Sequence, residues 1–163
     1  MFSLEELSRV MKLEYPKNRI VNWDIEHYEE IELNDLDRSL IAQFKNHRQY
    51  MKAYSEFGDS YTAICDNVIY AMFGVFPLWE GVAEAWLLPS RHIRRKIVPF
   101  HRGSLAFFDF YARKNNIKRL QYTVHIANLH SLKWAKRCYF HNEGTLKFYG
   151  PDGKDHIMFA RYY

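Results

Sequence analysis

The side chains best equipped for chemistry gather in one run. Arg91, His92, Arg94, Arg95, Lys96, His101 and Arg102 lie close together, interrupted by Ile93 and by the stretch Ile97-Val98-Pro99-Phe100. Arginine presents a planar fork of donors that matches phosphate and carboxylate oxygens. Such a run can hold cofactor phosphates, a nucleic-acid backbone or an acidic protein surface, and it can equally be a solvated loop ahead of a buried helix. His92 and His101 would add anion affinity only when protonated. Elsewhere the chemistry is sparser. His125 with His130, and Cys138 with His141, do not form a metal-ligand array. Neither Cys65 nor Cys138 has a base partner in sequence that would favour a nucleophilic thiolate. Trp79, Trp86 and Trp134 read as core or interface anchors, and the paired-aromatic motifs of single-strand binders are missing.

These residues need a scaffold, and hydrophobic periodicity supplies its outline. Ser3 with Glu6 forms a capping box for a helix over about 3–15 carrying Leu4, Leu7, Val10 and Met11, with Pro16 closing it. An early strand is expected within Arg19 to Leu33. A helix follows over Leu36 to Tyr54, with Leu36, Leu40, Ile41 and Phe44 as a buried stripe. Tyr61 to Cys65 and Val68 to Phe76 are strands joined by an Asp66-Asn67 turn. Gly74 marks a bulge or a close backbone approach, and Pro77 breaks the strand. Val82 to Leu88 is the next strand, ended by Pro89. Phe100 to Asn116 is a helix apolar almost all round, which must be buried against a sheet. Leu120, Tyr122, Val124 and Ile126 alternate with polar residues as in a strand. Asn128 caps a helix whose inner face is Ser131, Trp134, Ala135 and Cys138. Two strands, Thr145 to Tyr149 and His156 to Tyr162, flank a Gly150-Pro151-Asp152-Gly153 turn. Helices inserted after the first, fourth and fifth strands imply a mixed α/β sheet.

The bulk properties agree with one folded domain over 1–163, extended by the N-terminal helix. The chain has 163 residues, 48% of them hydrophobic and 17% aromatic, and a formal charge of +4 that favours anionic partners. Two cysteines far apart argue against a disulfide framework and for a reducing compartment. The sequence has no stretch of about 18 apolar residues to cross a bilayer, so no membrane partner and a cytoplasmic location are expected.

From about Tyr61 onward, the order of elements resembles the GNAT superfamily of acyl-CoA-dependent N-acetyltransferases. Asp66-Asn67-Val68-Ile69-Tyr70-Ala71-Met72-Phe73-Gly74-Val75 looks like that family's second hairpin. Ile117-Lys118-Arg119-Leu120 with the following strand, Asn128 opening a helix and Tyr139-Phe140 at its end look like its closing βαβ stretch. Glu84-Ala85-Trp86-Leu87-Leu88-Pro89-Ser90, the Arg91 to Arg95 segment and the Asn128-x-x-Ser131-x-x-Trp134-Ala135-Lys136 run are similar to small GNAT-like proteins of tailed bacteriophages. Some of those are internal virion proteins of podoviruses.

The resemblance implies a mixed central sheet with helices on both faces and with strands four and five splayed apart. Acetyl-CoA would lie between Val82–Leu88 and Arg119–His125. It would be held by Leu87, Leu88, Arg91, Arg94, Arg95, Lys96, Arg102, Gly103, Ser104 and Asn128, and its acyl group would pass to an amine acceptor. Glu84 would be the general base, with His125 a possible assistant. The family's phosphate loop, Arg-x-x-Gly-x-Gly, is represented here only by the basic run and Gly103. Its acid tyrosine, seven residues beyond the capping asparagine, is Ala135, which leaves Tyr139 one turn further on as the substitute. These two departures also admit a non-catalytic virion protein that keeps the fold, with other virion proteins as partners in a host cell or a particle. The basic run alone admits a nucleic-acid binder.

Overall fold

The computed structural model describes residues 3–14 and 17–163; Pro16, expected to close the first helix, lies outside the described residues. The first helix, α1 (Leu4–Val10), is capped as its sequence predicts, the Ser3 side chain accepting from the Glu6 amide. The Glu6 carboxylate does not complete the box but takes the Lys114 ammonium at 2.7 Å, tying α1 to a later helix. Strand β1 (Asn18–Asn22) occupies only the start of the expected early strand. Asp24 then caps a short helix, α2 (Ile25–Glu30), with His27 accepting from the Asp24 amide in the reciprocal half of the cap.

The single helix expected over Leu36 to Tyr54 is two: α3 (Asp35–Gln43), capped by Asn34, and α4 (His47–Phe57). Its apolar stripe is only half-buried, because it faces a cleft and not a closed core.

Asp66 and Asn67 join β2 (Asp59–Cys65) to β3 (Val68–Trp79). Both take left-handed φ, 51° and 60°, as a two-residue type I′ turn requires and as Asp and Asn tolerate. Strand β3 does not stop at Pro77. Beyond Val75 it has only β4 (Val82–Pro89) beside it, and Pro77 pairs with Ala83 next to a register shift, the edge position where proline is tolerated. Gly74 is the close approach and not the bulge. A Cβ there would collide with the Asp59 carbonyl oxygen and come 2.7 Å from Trp86 Nε1.

A 3-10 helix over Arg91–Lys96 runs directly into α5 (Ile97–Lys114), so the basic run is helical and not an open loop. Pro99 falls in the first turn of α5, where its missing N–H would have had no intrahelical partner. Strand β5 (Arg119–His125) and helix α6 (Leu129–Arg137) follow. Strand β6 (His141–Leu146) starts earlier and ends sooner than its sequence suggests, leaving a longer turn before β7 (His156–Tyr162).

Among the described residues the strands form one seven-stranded sheet in the order β1-β2-β3-β4-β5-β7-β6. Only β4 and β5 are parallel. One face packs Ala83, Ala85, Leu120 and Val124 against α1, α5 and α6, with Phe107, Phe108, Tyr111 and Ala135 at its centre. Burying each of the large side chains there contributes about 1.5–3 kcal/mol. The other face packs Met72, Leu88 and Ile69 against Ile31, Trp23, Tyr28 and Ile41 from the α2–α3 region. The expected mixed sheet with helices on both faces is therefore what the chain forms.

Candidate active site

The parallel pair β4–β5 is short. It runs through Val82↔Arg119, Ala83↔Leu120 and Glu84↔Gln121, and there it ends. Each strand then stays with its other neighbour: β4 follows β3 as far as Ala71↔Pro89, and β5 follows β7 as far as His125↔His156. The two half-sheets separate as expected and leave a gap of about 310 Å³. Leu87 and Leu88 form one wall, Thr123, Val124 and His125 the other, and Asn128 closes one end. Phe108, Tyr122 and Trp134 line the gap from the α5–α6 side without filling it.

Backbone on both sides of the gap lacks its strand partner, and buried side-chain polar atoms there lack partners too. Trp86 Nε1, Tyr122 Oη, Trp134 Nε1 and His156 Nδ1 are buried without a hydrogen bond, and all four residues border the gap. An unpaired buried donor costs about 1–3 kcal/mol. The space between the two unpaired edges fits a site that a polar, extended ligand completes through their backbone.

Glu84 is the last β4 residue paired with β5, so it stands where the gap begins. It is half-buried, and the Tyr54 hydroxyl of α4 donates to its Oε1 at 3.0 Å. Burial, and then the Glu84 carboxylate, push the Tyr54 phenol well above its ordinary range, so Tyr54 remains a donor. His125 lies across the gap. Its Nδ1 accepts from the Ala127 amide at 3.1 Å, so its Nε2 carries the proton and donates to Asp152 Oδ2 at 3.0 Å. With both ring nitrogens engaged, His125 braces the β6–β7 turn. His156 packs edge-on against it at 5.1 Å and is held below the usual histidine pKa by burial first and by His125 second.

The basic residues lie at the Asn128 end. Asn128 caps α6, its Oδ1 accepting from the Ser131 amide at 3.1 Å. Arg94 reaches across from the 3-10 helix to His130 Nε2 at 3.4 Å, which joins the two helix entrances. Lys96 occupies the N-cap of α5 and gives it no side-chain cap. Arg91 is committed elsewhere: it pairs with Glu32 at 2.5 Å, and His92 joins the same carboxylate at 3.2 Å. Arg95 and Arg102 are exposed, and Lys96 is half-buried.

Three expected site residues are placed away from the gap. Gly103 and Ser104 are buried in the second turn of α5. A Cβ at Gly103 would come 3.1 Å from Met11 Cε, and Ser104 Oγ donates to the Phe100 carbonyl, so both serve helix packing. Tyr139 follows the Cys138 C-cap with a left-handed φ of 64°, which swings it off the face of Ala135. It is 65% exposed, with the Arg161 guanidinium 5.6 Å from its ring centroid. Other features escaped sequence reading. Tyr122 reads as an apolar position of an alternating strand, and Tyr54 only as the end of the helix expected from Leu36. Cys138 does have a histidine beside it, His101 Nδ1 at 3.6 Å, but burial pushes its thiol up to about 12. No group of His, Cys, Asp and Glu that could hold a metal ion occurs among the described residues.

Compared by sequence, the chain matches no family model and no curated protein. Compared by structure, it is similar to solved acetyltransferases over almost its whole length. A GNAT family acetyltransferase from Bacillus anthracis aligns with a TM-score of 0.68 at 13% identity, over 91% of this chain and 96% of that one. A GNAT family acetyltransferase from Elizabethkingia anophelis with acetyl-CoA bound gives 0.67 at 13%, covering 91% and 99%. The ribosomal L7/L12 alpha-N-protein acetyltransferase RimL in complex with coenzyme A gives 0.65 at 17%, covering 90% and 94%. At these identities the likeness establishes the fold, and the fold is that of the GNAT acetyltransferases.

Proposed function

We propose that this protein is an N-acetyltransferase that binds acetyl-CoA in the β4–β5 gap and acylates an amine beside Glu84. The observation that carries this reading is the open gap itself, lined by the unpaired edges of β4 and β5 and closed at one end by Asn128. A virion protein that had only retained the fold would have no need to keep that space open. Acetyl-CoA supplies an activated acyl group: the amine nitrogen forms a bond to the thioester carbon, the carbon–sulfur bond breaks, and coenzyme A leaves as a thiol.

The chain's own residues divide that task. The unpaired edge of β4 at Leu87 and Leu88 holds an extended chain by backbone hydrogen bonds, as a strand partner would. Arg94, Arg95, Lys96 and Arg102, with Asn128, hold the phosphates. Arg91 contributes charge at a distance, since Glu32 already holds its guanidinium. Side-chain guanidinium groups thus replace the backbone donors of a glycine loop. Glu84, fixed by Tyr54, takes the proton that the attacking amine loses. Tyr122, whose phenol is kept protonated by burial, donates to the leaving sulfur in the role that Ala135 cannot fill.

Isothermal titration with acetyl-CoA and with coenzyme A tests the reading. Saturable binding of both supports it, and no binding at millimolar ligand overturns it. The bacteriophage likeness enters only through sequence resemblance. Mass spectrometry of purified virions that found several copies per particle would restore the structural role.

A further inference from the structure

On the α2–α4 side of the sheet, the gap opens into a second cavity of about 730 Å³, between α3, α4 and the β6–β7 turn. Glu84 and Trp86 border both spaces, so whatever fills the second meets the first at the carboxylate. The walls are aromatic. Phe44, Tyr50 and Tyr54 succeed one another with ring centroids 5.0 and 6.0 Å apart, Tyr54 meets Trp86 edge-on at 6.3 Å, and Tyr149 faces them from the turn. Tyr50 and Tyr149 are 53% and 54% exposed, so these rings stand at a rim and are not spent on the core. Glu84 is the carboxylate in this lining.

We propose that this cavity selects the acceptor, and that the acceptor is a small primary amine with a single charge and an apolar, preferably flat body. The inference rests on the acetyltransferase reading and names its substrate class. A single ammonium finds one carboxylate, Glu84, and the faces of Tyr54 and Trp86, which attract cations within about 6 Å. A flat apolar body finds the rings of Phe44, Tyr50 and Tyr149, and it gains by removing its surface from water against them. His47 and His156 also line the cavity, and burial depresses both, so neither brings a competing positive charge at neutral pH. A polyamine would carry further ammonium groups past a wall that, among the described residues, has no second carboxylate; Asp37 borders the adjoining gap, where it accepts from the Asn34 side-chain amide. A protein tail would lay its peptide groups on aromatic surface that offers them few partners. The volume lies within the range of small-molecule sites, about 300–1,000 Å³.

Calorimetric titration of 2-phenylethylamine, spermidine and an unblocked hexapeptide into the protein, with and without coenzyme A, tests the proposal. The expected result is 2-phenylethylamine at least ten-fold tighter than the other two. Tyr50→Ala and Tyr149→Ala should each weaken it at least five-fold and leave the coenzyme A affinity and the melting temperature unchanged. Tyr50→Phe, which keeps the ring, should retain the affinity. Preference for spermidine or the peptide overturns the proposal, as does indifference to losing the rings or no amine binding at all. The two readings fail separately: amine binding without coenzyme A binding removes the acetyltransferase, whereas coenzyme A binding with a preferred peptide or polyamine removes only this acceptor class.

Discussion

Glu84 and Tyr122 stand on adjoining strands, on opposite faces of the sheet, at the point where the strands part, and under the proposed function their substitutions separate two proton transfers. Glu84→Gln keeps the size of the side chain and its bond from Tyr54 but removes the base. It should lower kcat for amine acetylation about 10²–10⁴-fold, with the acetyl-CoA KM little changed in steady-state assays. Tyr122→Phe should lower kcat by about 10²-fold, within the same general-acid range, while thermal unfolding shows a fold at least as stable, because an unpartnered buried hydroxyl is removed. The cysteines make a contrasting prediction. Burial holds the Cys138 thiol up near 12, so at pH 8 it is almost wholly protonated despite the nearby His101. Iodoacetamide should leave Cys138 unmodified in the native protein and modify it fully in denaturant, as read by peptide mass spectrometry.

The elements most legible in the sequence were those with local chemistry of their own. Asp66-Asn67 could turn a hairpin by itself, Asn128 could cap a helix by itself, and β5 alternated cleanly because one of its faces is covered by α5 and α6. The misread ones depend on distant neighbours. Nothing between Phe44 and His47 is a glycine or a proline, yet the helix stops there so that two shorter helices can wall a cleft. Pro77 sits within a strand because β2 ends opposite Val75 and leaves one side of β3 free. The strand carboxylate and the basic cluster of the site were visible in sequence. Tyr54 and Tyr122 were not, because only the fold brings them to Glu84 and to the gap.

Gly74 shows the cost of such close packing. Gly74→Ala would press a methyl group onto the Asp59 carbonyl and the Trp86 ring, and a loss of about 1–3 kcal/mol is expected in urea unfolding. At the other end of the sheet, Glu143 on β6 accepts from Arg119 on β5 and from Tyr162 on β7. The Arg119 hydrogen bond, then that of Tyr162, depress its carboxyl to about 2. The folded-state value is below the unfolded one, near 4.3, so this cluster stabilises the fold above that range and loses its effect as pH falls through about 2. Glu143→Gln should therefore lower the urea midpoint at pH 7. The difference from wild type should shrink below about pH 4.5 and vanish near pH 2.

At the scale of the whole molecule, the sheet is two half-sheets joined by three residue pairs and by the helices laid across them. Hydrogen-bond continuity along β1 to β4 and along β5 to β6 is what keeps each half rigid while they diverge. That interruption makes a bound chain a structural member, because an extended ligand there supplies the rungs that the ladder lacks. Amide exchange should show this directly. In the free protein, the amides of Ala85–Leu88 that point toward β5 should exchange quickly for residues so deep in a sheet. Saturating coenzyme A should slow them by at least ten-fold, and leave the β2–β3 hairpin unaltered. A molecule built in this way is stiffest when loaded, and the width of its central opening would be governed as much by its occupant as by its own side chains.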